Sequence, residues 1–254
     1  MVVSKKPIHS FQNPELEVDA WKLKHKPNGD MVESFIGKVK IQNEDSLMYL
    51  GHVLDQRGGN MKNILHKRNK ALGTQKIIQK LIKKLGKFTF EGAVIYIESL
   101  IRTSILYGSE TMFNVKENEF RALEAIEESV LVKTFQTLRS CSRHLLYLET
   151  GMIPARYQIH RQMLNYLQYI LLQPSESLLS RVFMAQKNSP SKRDWVSYVT
   201  KLLTEYNMNM TFLEVRNMKP CHYKTMVKQR VQDKAFRDLI ARKTRGQKEK
   251  KHSL

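Results

Sequence analysis

A chain of 254 residues that is 41% hydrophobic can bury a core, and its 43 Lys and Arg against 24 Asp and Glu leave a formal charge of +19, far more than solubility asks for. That charge implies an acidic partner, and two cysteines, Cys141 and Cys221, supply no disulfide framework. No cleavable leader follows Lys5 and Lys6, and every apolar run is broken before the roughly 18 residues that a membrane span needs. The expected protein is therefore neither secreted nor membrane-bound, with nucleus and cytoplasm both open.

In chain order, the stretch up to Asp55 reads as short strands and turns. Pro7, Pro14 and Pro27 rule out long helices, and Pro27-Asn28-Gly29-Asp30 is a turn in which proline fixes one φ and glycine accepts a positive one. Phe35 to Ile41 alternates, and Leu47 to Leu54 follows Asn43-Glu44-Asp45, so the two stretches are expected to pair as a β-hairpin. So small a hairpin needs packing from the helices behind it.

Residues 56–90 hold ten Lys and Arg and no acid. Asn60 is a candidate N-cap for a helix from Met61. Ile64, Leu65, Ala71 and Leu72 run about 100° out of phase with Ile77, Ile78, Leu81, Ile82 and Leu85, so Gly73 predicts a kink or register change. Lys76, Lys80, Lys83 and Lys87 fall opposite the later apolar set. A row of like charges costs a few tenths of a kcal/mol per neighbouring pair, roughly, and a polyanion would offset that. The functional reading is a lysine face laid on phosphates, with Lys62, Lys67, Arg68, Lys70, Lys76, Lys80, Lys83, Lys84 and Lys87 as ligands. The plain alternative is a solubilising face.

Phe88 to Leu106 predicts a central buried helix carrying Phe90, Val94, Ile97, Leu100, Ile101 and Ile105, closed by Tyr107-Gly108-Ser109. Lys116 to Leu138 predicts another, with Glu117, Glu119, Glu124 and Glu127 toward its N-terminal half, where the helix dipole favours them. The glutamates between Glu110 and Glu128 either neutralise a basic face internally or turn away from the polyanion. Leu145 to Leu148 precedes Gly151 and Pro154, and helices are expected over Ala155–Leu172, Glu176–Gln186, Asp194–Tyr206 and onward from Pro220. Lys243 to Leu254 offers almost nothing to bury and predicts disorder, and Arg242 to Lys251 reads as a basic import signal or a polyanion-binding tail.

Chemistry-bearing patterns are sparse. There is no Asp pair, zinc-protease motif, nucleophile elbow or phosphate-binding glycine loop. Cys141-x-x-His144 and Cys221-His222 have poor geometry for one tetrahedral zinc and read as ordinary thiols. No cofactor is expected. Tyr147, Tyr157, Tyr166 and Tyr169 beside Arg143, Arg156 and Arg161 could stack bases, although core packing explains them as well.

Met48-Tyr49-Leu50-Gly51-His52 resembles the motif E primer-grip hairpin of reverse transcriptases from non-LTR (LINE-like) retrotransposons. Ser4-Lys5 is similar to the end of the preceding motif. Leu106-Tyr107-Gly108-Ser109-Glu110-Thr111 resembles the family's thumb signature, with Met112 where a tryptophan is usual. Leu146-Tyr147-Leu148-Glu149-Thr150-Gly151, then Pro154, Arg161 and Tyr166-Leu167, resembles a later segment. The matches keep the family's order over most of the chain.

The resemblance implies a mainly α fold: a small N-terminal β-hairpin remnant of a polymerase palm (1–55), then a six- to seven-helix thumb-like bundle. That bundle divides into a basic thumb-like part (56–138) and a helical connector (139–241), with a basic tail (242–254). It also implies that Tyr49, Leu50 and Gly51 act as a primer grip, that Tyr107, Gly108, Ser109 and Glu110 mark the thumb, and that Arg161 joins the nucleic-acid ligands. The catalytic aspartate pair would fall before Met1, so polymerase activity is not expected from this chain alone. The expected function is non-catalytic, sequence-independent binding of RNA, DNA or their hybrid. The alternatives are a protein-interaction bundle without nucleic-acid affinity, or a thumb piece active only beside a separate palm-bearing chain.

Overall fold

The computed structural model describes residues 34–36, 39–41, 45–55, 59–85, 89–112, 114–135, 137, 142–191 and 194–251. The proline-bounded turn at 27–30, the Ser4-Lys5 motif, Lys87 and Cys141 lie outside the described residues, as does the side chain of Lys83. A small hairpin region followed by a helical bundle is the architecture observed.

The strands pair differently from expectation. β1 (Ser34–Ile36) pairs antiparallel with β2 (Val39–Ile41), and β3 (Ser46–Tyr49) pairs with β4 (His52–Asp55), so each expected strand folds back on itself. The β3–β4 register sets Tyr49 opposite His52 and Leu47 opposite Leu54, leaving Leu50-Gly51 as a two-residue turn. Both turn residues have positive φ, +46° and +79°, which is the backbone of a turn whose twist suits a hairpin.

Nine helices follow among the described residues. The first, α1 (Met61–Leu85), runs unbroken past Gly73. Its buried stripe is Ile64, Lys67, Ala71, Gln75 and Ile78, at intervals of three and four. Two polar members of that stripe explain the false change of phase: an apolar count skips Lys67 and Gln75, and Leu65 and Ile77 are exposed. The second, α2, spans 90–106 and is capped by Thr89, whose hydroxyl accepts from Gly92 N–H at 3.1 Å. Its middle, Ile97–Arg102, is a π turn. Ala93, Ile97, Ile101 and Ile105 recur every four residues, and the wider turn keeps that interval on one face. Phe90, Ile95 and Leu100 are exposed, so α2 lies at the periphery and is not the central helix.

A left-handed Gly108 and a 3₁₀ turn (Ser109–Thr111) lead to α3 (Glu117–Thr134), α4 (Arg143–Thr150) and α5 (Ala155–Leu171). The bundle is built around α5, which carries ten buried residues. Around it stand α6 (Leu178–Asn188), α7 (Trp195–Glu205), the short α8 (Phe212–Asn217) and α9 (Pro220–Lys251). The helix α9 continues to Lys251, through the stretch expected to be disordered. Its Tyr223, Val227, Val231, Ala235 and Leu239 are all buried, and Tyr223 Oη donates to Leu164 O of α5 at 3.1 Å. One buried cluster runs from Ile64 to Leu239. Inside it, His160 hydrogen-bonds Tyr206 Oη through Nδ1 at 2.6 Å, and burial pushes its pKa down to about 3, so the ring stays neutral.

Candidate interaction surface

The β3–β4 hairpin is fastened to the bundle through β4. Asn63 of α1 accepts from Val53 N–H through Oδ1 and donates through Nδ2 to His52 Nδ1, each at 3.3 Å. The His52 ring stacks on Tyr107, with centroids 5.2 Å apart and planes at 23°. Contact is close enough that a Cβ on Gly108 would fall 1.8 Å from His52 Nε2, and one on Gly51 would fall 3.4 Å from Tyr107 Cε1. The Tyr49-Leu50-Gly51 and Tyr107-Gly108 segments, distant in sequence, therefore meet. A neutral His52 is required to accept from Asn63, and burial beside Lys67 holds its pKa below the ordinary histidine value.

Lys67, expected to bind phosphate, is turned inward and only 2% exposed. Its ammonium donates to the carbonyls of Ile105 and Tyr107, the first at 2.9 Å, and closes the C-terminus of α2, where helix carbonyls lack partners. Burial lowers its pKa to about 8. A neutral amine would still have donors for both carbonyls. Lys62 is also partly committed, donating to Asp45 O at 3.2 Å and lying 3.5 Å from the Asp55 carboxylate.

The remaining α1 cations behave as expected of a wet face. Arg68, Lys70, Lys76, Lys80 and Lys84 are exposed, and none has a carboxylate within 4.0 Å among the described residues. The acidic helix α3 does not serve them. It neutralises arginines inside the bundle instead. Glu127, fully buried, accepts from Arg102 Nε at 2.6 Å, Tyr147 Oη at 2.8 Å and Ala155 N–H at 3.0 Å, joining α3 to α2, α4 and α5. Arg102 also pairs with Glu98 at 2.6 Å and donates to Ile153 O. Burial works against that cation, but Glu127 and Glu98 outweigh it and hold its pKa above the ordinary arginine range. Arg156 bridges Glu124 and Glu117 at 2.9 and 2.8 Å, and Arg143 reaches Glu128 at 2.8 Å. Burial nevertheless keeps Glu124 and Glu128 above the usual carboxylate pKa.

Tyr147 and Tyr157 are buried, donating to Glu127 and to Asp238 at 2.8 and 2.6 Å, so neither offers a face to a base. Ser109 is buried and donates to Gln162. Arg161 lines a separate cavity with Tyr107, Gly108 and Glu110. From sequence Glu127 is read only as a charge near the helix dipole and Arg102 is missed; the signal for Arg102 is a lone charge among the buried apolar residues of α2. Cys221 is exposed and unpaired. Among the described residues no three His, Cys, Asp or Glu are grouped to hold a metal ion, and no helix is long and apolar enough to cross a membrane. No protein-family model, curated protein or solved structure matches the chain.

Proposed function

We propose that the chain is a non-catalytic interaction module whose β3–β4 hairpin seats a protein partner with an apolar centre and an acidic rim. One observation carries this reading. Leu47, Met48, Tyr49, Leu50 and Leu54 are each more than half exposed on a hairpin that is tied to the bundle through His52 and Val53 of β4. Monomers rarely leave so dense an apolar patch in water. Leu50 adds to the case, because it is 71% exposed and holds a left-handed backbone that costs a non-glycine residue about 1 kcal/mol or more. A net charge of +19 disfavours a basic partner or a second copy. The resemblance makes a polymerase palm on a separate chain the first partner to try. Mixed with a palm-bearing segment of a related retroelement polymerase, the chain should form a complex that survives high salt and is lost in Leu47→Asp/Leu50→Asp. Independent sedimentation of the two proteins at all salt concentrations would refute it.

A second reading rests on the lysine face. Arg68, Lys70, Lys76, Lys80 and Lys84 hold a positive strip with no internal counter-charge among the described residues, and a phosphate backbone would supply one. Affinity for a primer-template hybrid should then fall steeply with salt. Replacing Lys76, Lys80, Lys83 and Lys87 by glutamate should weaken it by more than about tenfold and flatten the salt slope. Equal binding by wild type and variant at both salt concentrations would remove this reading.

A further inference from the structure

A cavity of about 430 Å³ opens between the C-terminal half of α2, the 3₁₀ turn and the first turns of α5, walled in part by Glu98, Tyr107, Glu110, Gln158, Arg161 and Gln162. The lysine face does not use it, and the hairpin seat shares only Tyr107 and Gly108 with it. Arg161 is half-buried, yet its guanidinium makes no hydrogen bond or ion pair with any described residue. The Glu110 carboxylate likewise has no hydrogen-bond or ion-pair partner among them, its electrostatic neighbours being Lys67 and His52, so Glu110 and Arg161 line one cavity without pairing. Gln158 is 6% exposed, and its Oε1 has no hydrogen-bond partner among the described residues. By contrast Arg102, on the same wall, has every side of its guanidinium engaged. Gln162 gives its carbonyl to Ser109, which leaves its NH₂ as the donor on that side.

The charges restrict the ligand. A phosphate dianion would be repelled by Glu98 and Glu110, and a simple cation by Arg161. A neutral planar group that offers acceptors on one edge and donors on another satisfies both. Guanine has that pattern: O6 and N7 accept a bidentate arginine, while N1–H and N2–H₂ donate to a carboxylate. Adenine places an N6 donor where the guanidinium needs an acceptor. We propose that this cavity binds an unpaired guanine base, with Arg161 on the O6/N7 edge and Glu110 on the N1/N2 edge.

Calorimetric titration of the full chain with guanosine tests the site without phosphate, so the lysine face cannot contribute to the result. Saturable binding is expected, with adenosine and 7-deazaguanosine each weaker by about tenfold or more. Arg161→Ala and Glu110→Gln should each lose about tenfold at unchanged melting temperature. Single-stranded oligonucleotides containing or lacking one guanine distinguish a strand from a free nucleoside as the source of the base. If Arg161→Ala fails to fold, protection of Arg161 from phenylglyoxal by guanosine in the unaltered chain, read by peptide mass, replaces it. Absence of guanosine binding, equal affinity for adenosine, unaltered affinity in Arg161→Ala, or no protection would each overturn the assignment.

Discussion

The arginines around α3 and the lysines of α1 carry the same charge to opposite ends. Arg102, Arg143 and Arg156 meet Glu127, Glu128, Glu124 and Glu117 in fixed, mostly buried geometry, where a planar fork with several donors is worth its desolvation. Lys76, Lys80 and Lys84 stand in water with no carboxylate near them among the described residues. The total of +19 therefore overstates nothing about a partner and explains little about the fold; what matters is which cations have already been matched. Lys67 crosses the divide, a lysine placed as the arginines are.

Breaking the inner set should cost the most. Glu127→Ala leaves Arg102 buried without its main partner and Tyr147 without an acceptor, so chemical denaturation should show a loss of about 3–5 kcal/mol. A loss below about 1 kcal/mol would mean that the network is incidental.

Lys67 comes next, with a dependence on pH whose sign is fixed. Its folded pKa of about 8 lies below the 10.5 of an unfolded lysine. Below pH 8 both states carry the charge and the folded state bears the cost of burying it. Between about pH 8 and 10.5 only the unfolded state binds the proton, so stability should rise with pH by on the order of 2–3 kcal/mol. Lys67→Met should remove that rise and, by leaving two carbonyls without donors, cost about 1–3 kcal/mol at pH 10. Parallel curves for wild type and variant across this window would contradict the placement.

Leu50→Asn should act in the other direction. Asparagine followed by Gly51 suits a turn with both φ positive, and the hairpin should gain about 1 kcal/mol while losing affinity for its partner. Amide exchange of the β3–β4 hydrogen bonds would report it. The smallest effect on stability belongs to the exposed lysines: Lys76→Glu/Lys80→Glu/Lys84→Glu should unfold within about 0.5 kcal/mol of wild type per site. A large loss would show that these side chains have internal roles.

Local punctuation was readable. Gly108 ends α2 and Pro220 opens α9, because each acts through its own backbone. Thr211-x-x-Glu214, the capping box that starts α8, is a local signal of the same kind. What failed was non-local. The stripe of α1 contains Lys67 and Gln75, whose partners are carbonyls on other helices, so hydropathy put the phase in the wrong place. The strands were mispaired because Leu50-Gly51 lacks the asparagine or aspartate that announces a tight turn. Of the candidate ligands, periodicity placed Lys76 and Lys80 correctly on an open face and could not separate them from Lys67. The cavity beside Arg161 was invisible in sequence, since its walls come from three separated segments.

The spacing of Tyr223, Val227, Val231, Ala235 and Leu239 has a mechanical consequence. Four residues turn an α-helix by about 400°, so each member sits about 40° further round than the last and the strip winds like a screw thread along α9. A thread is intolerant of a lost pitch. Deleting one residue between Val227 and Val231 would rotate everything beyond by about 100° and swing Ala235 and Leu239 off their seats, although the composition of the helix would hardly change.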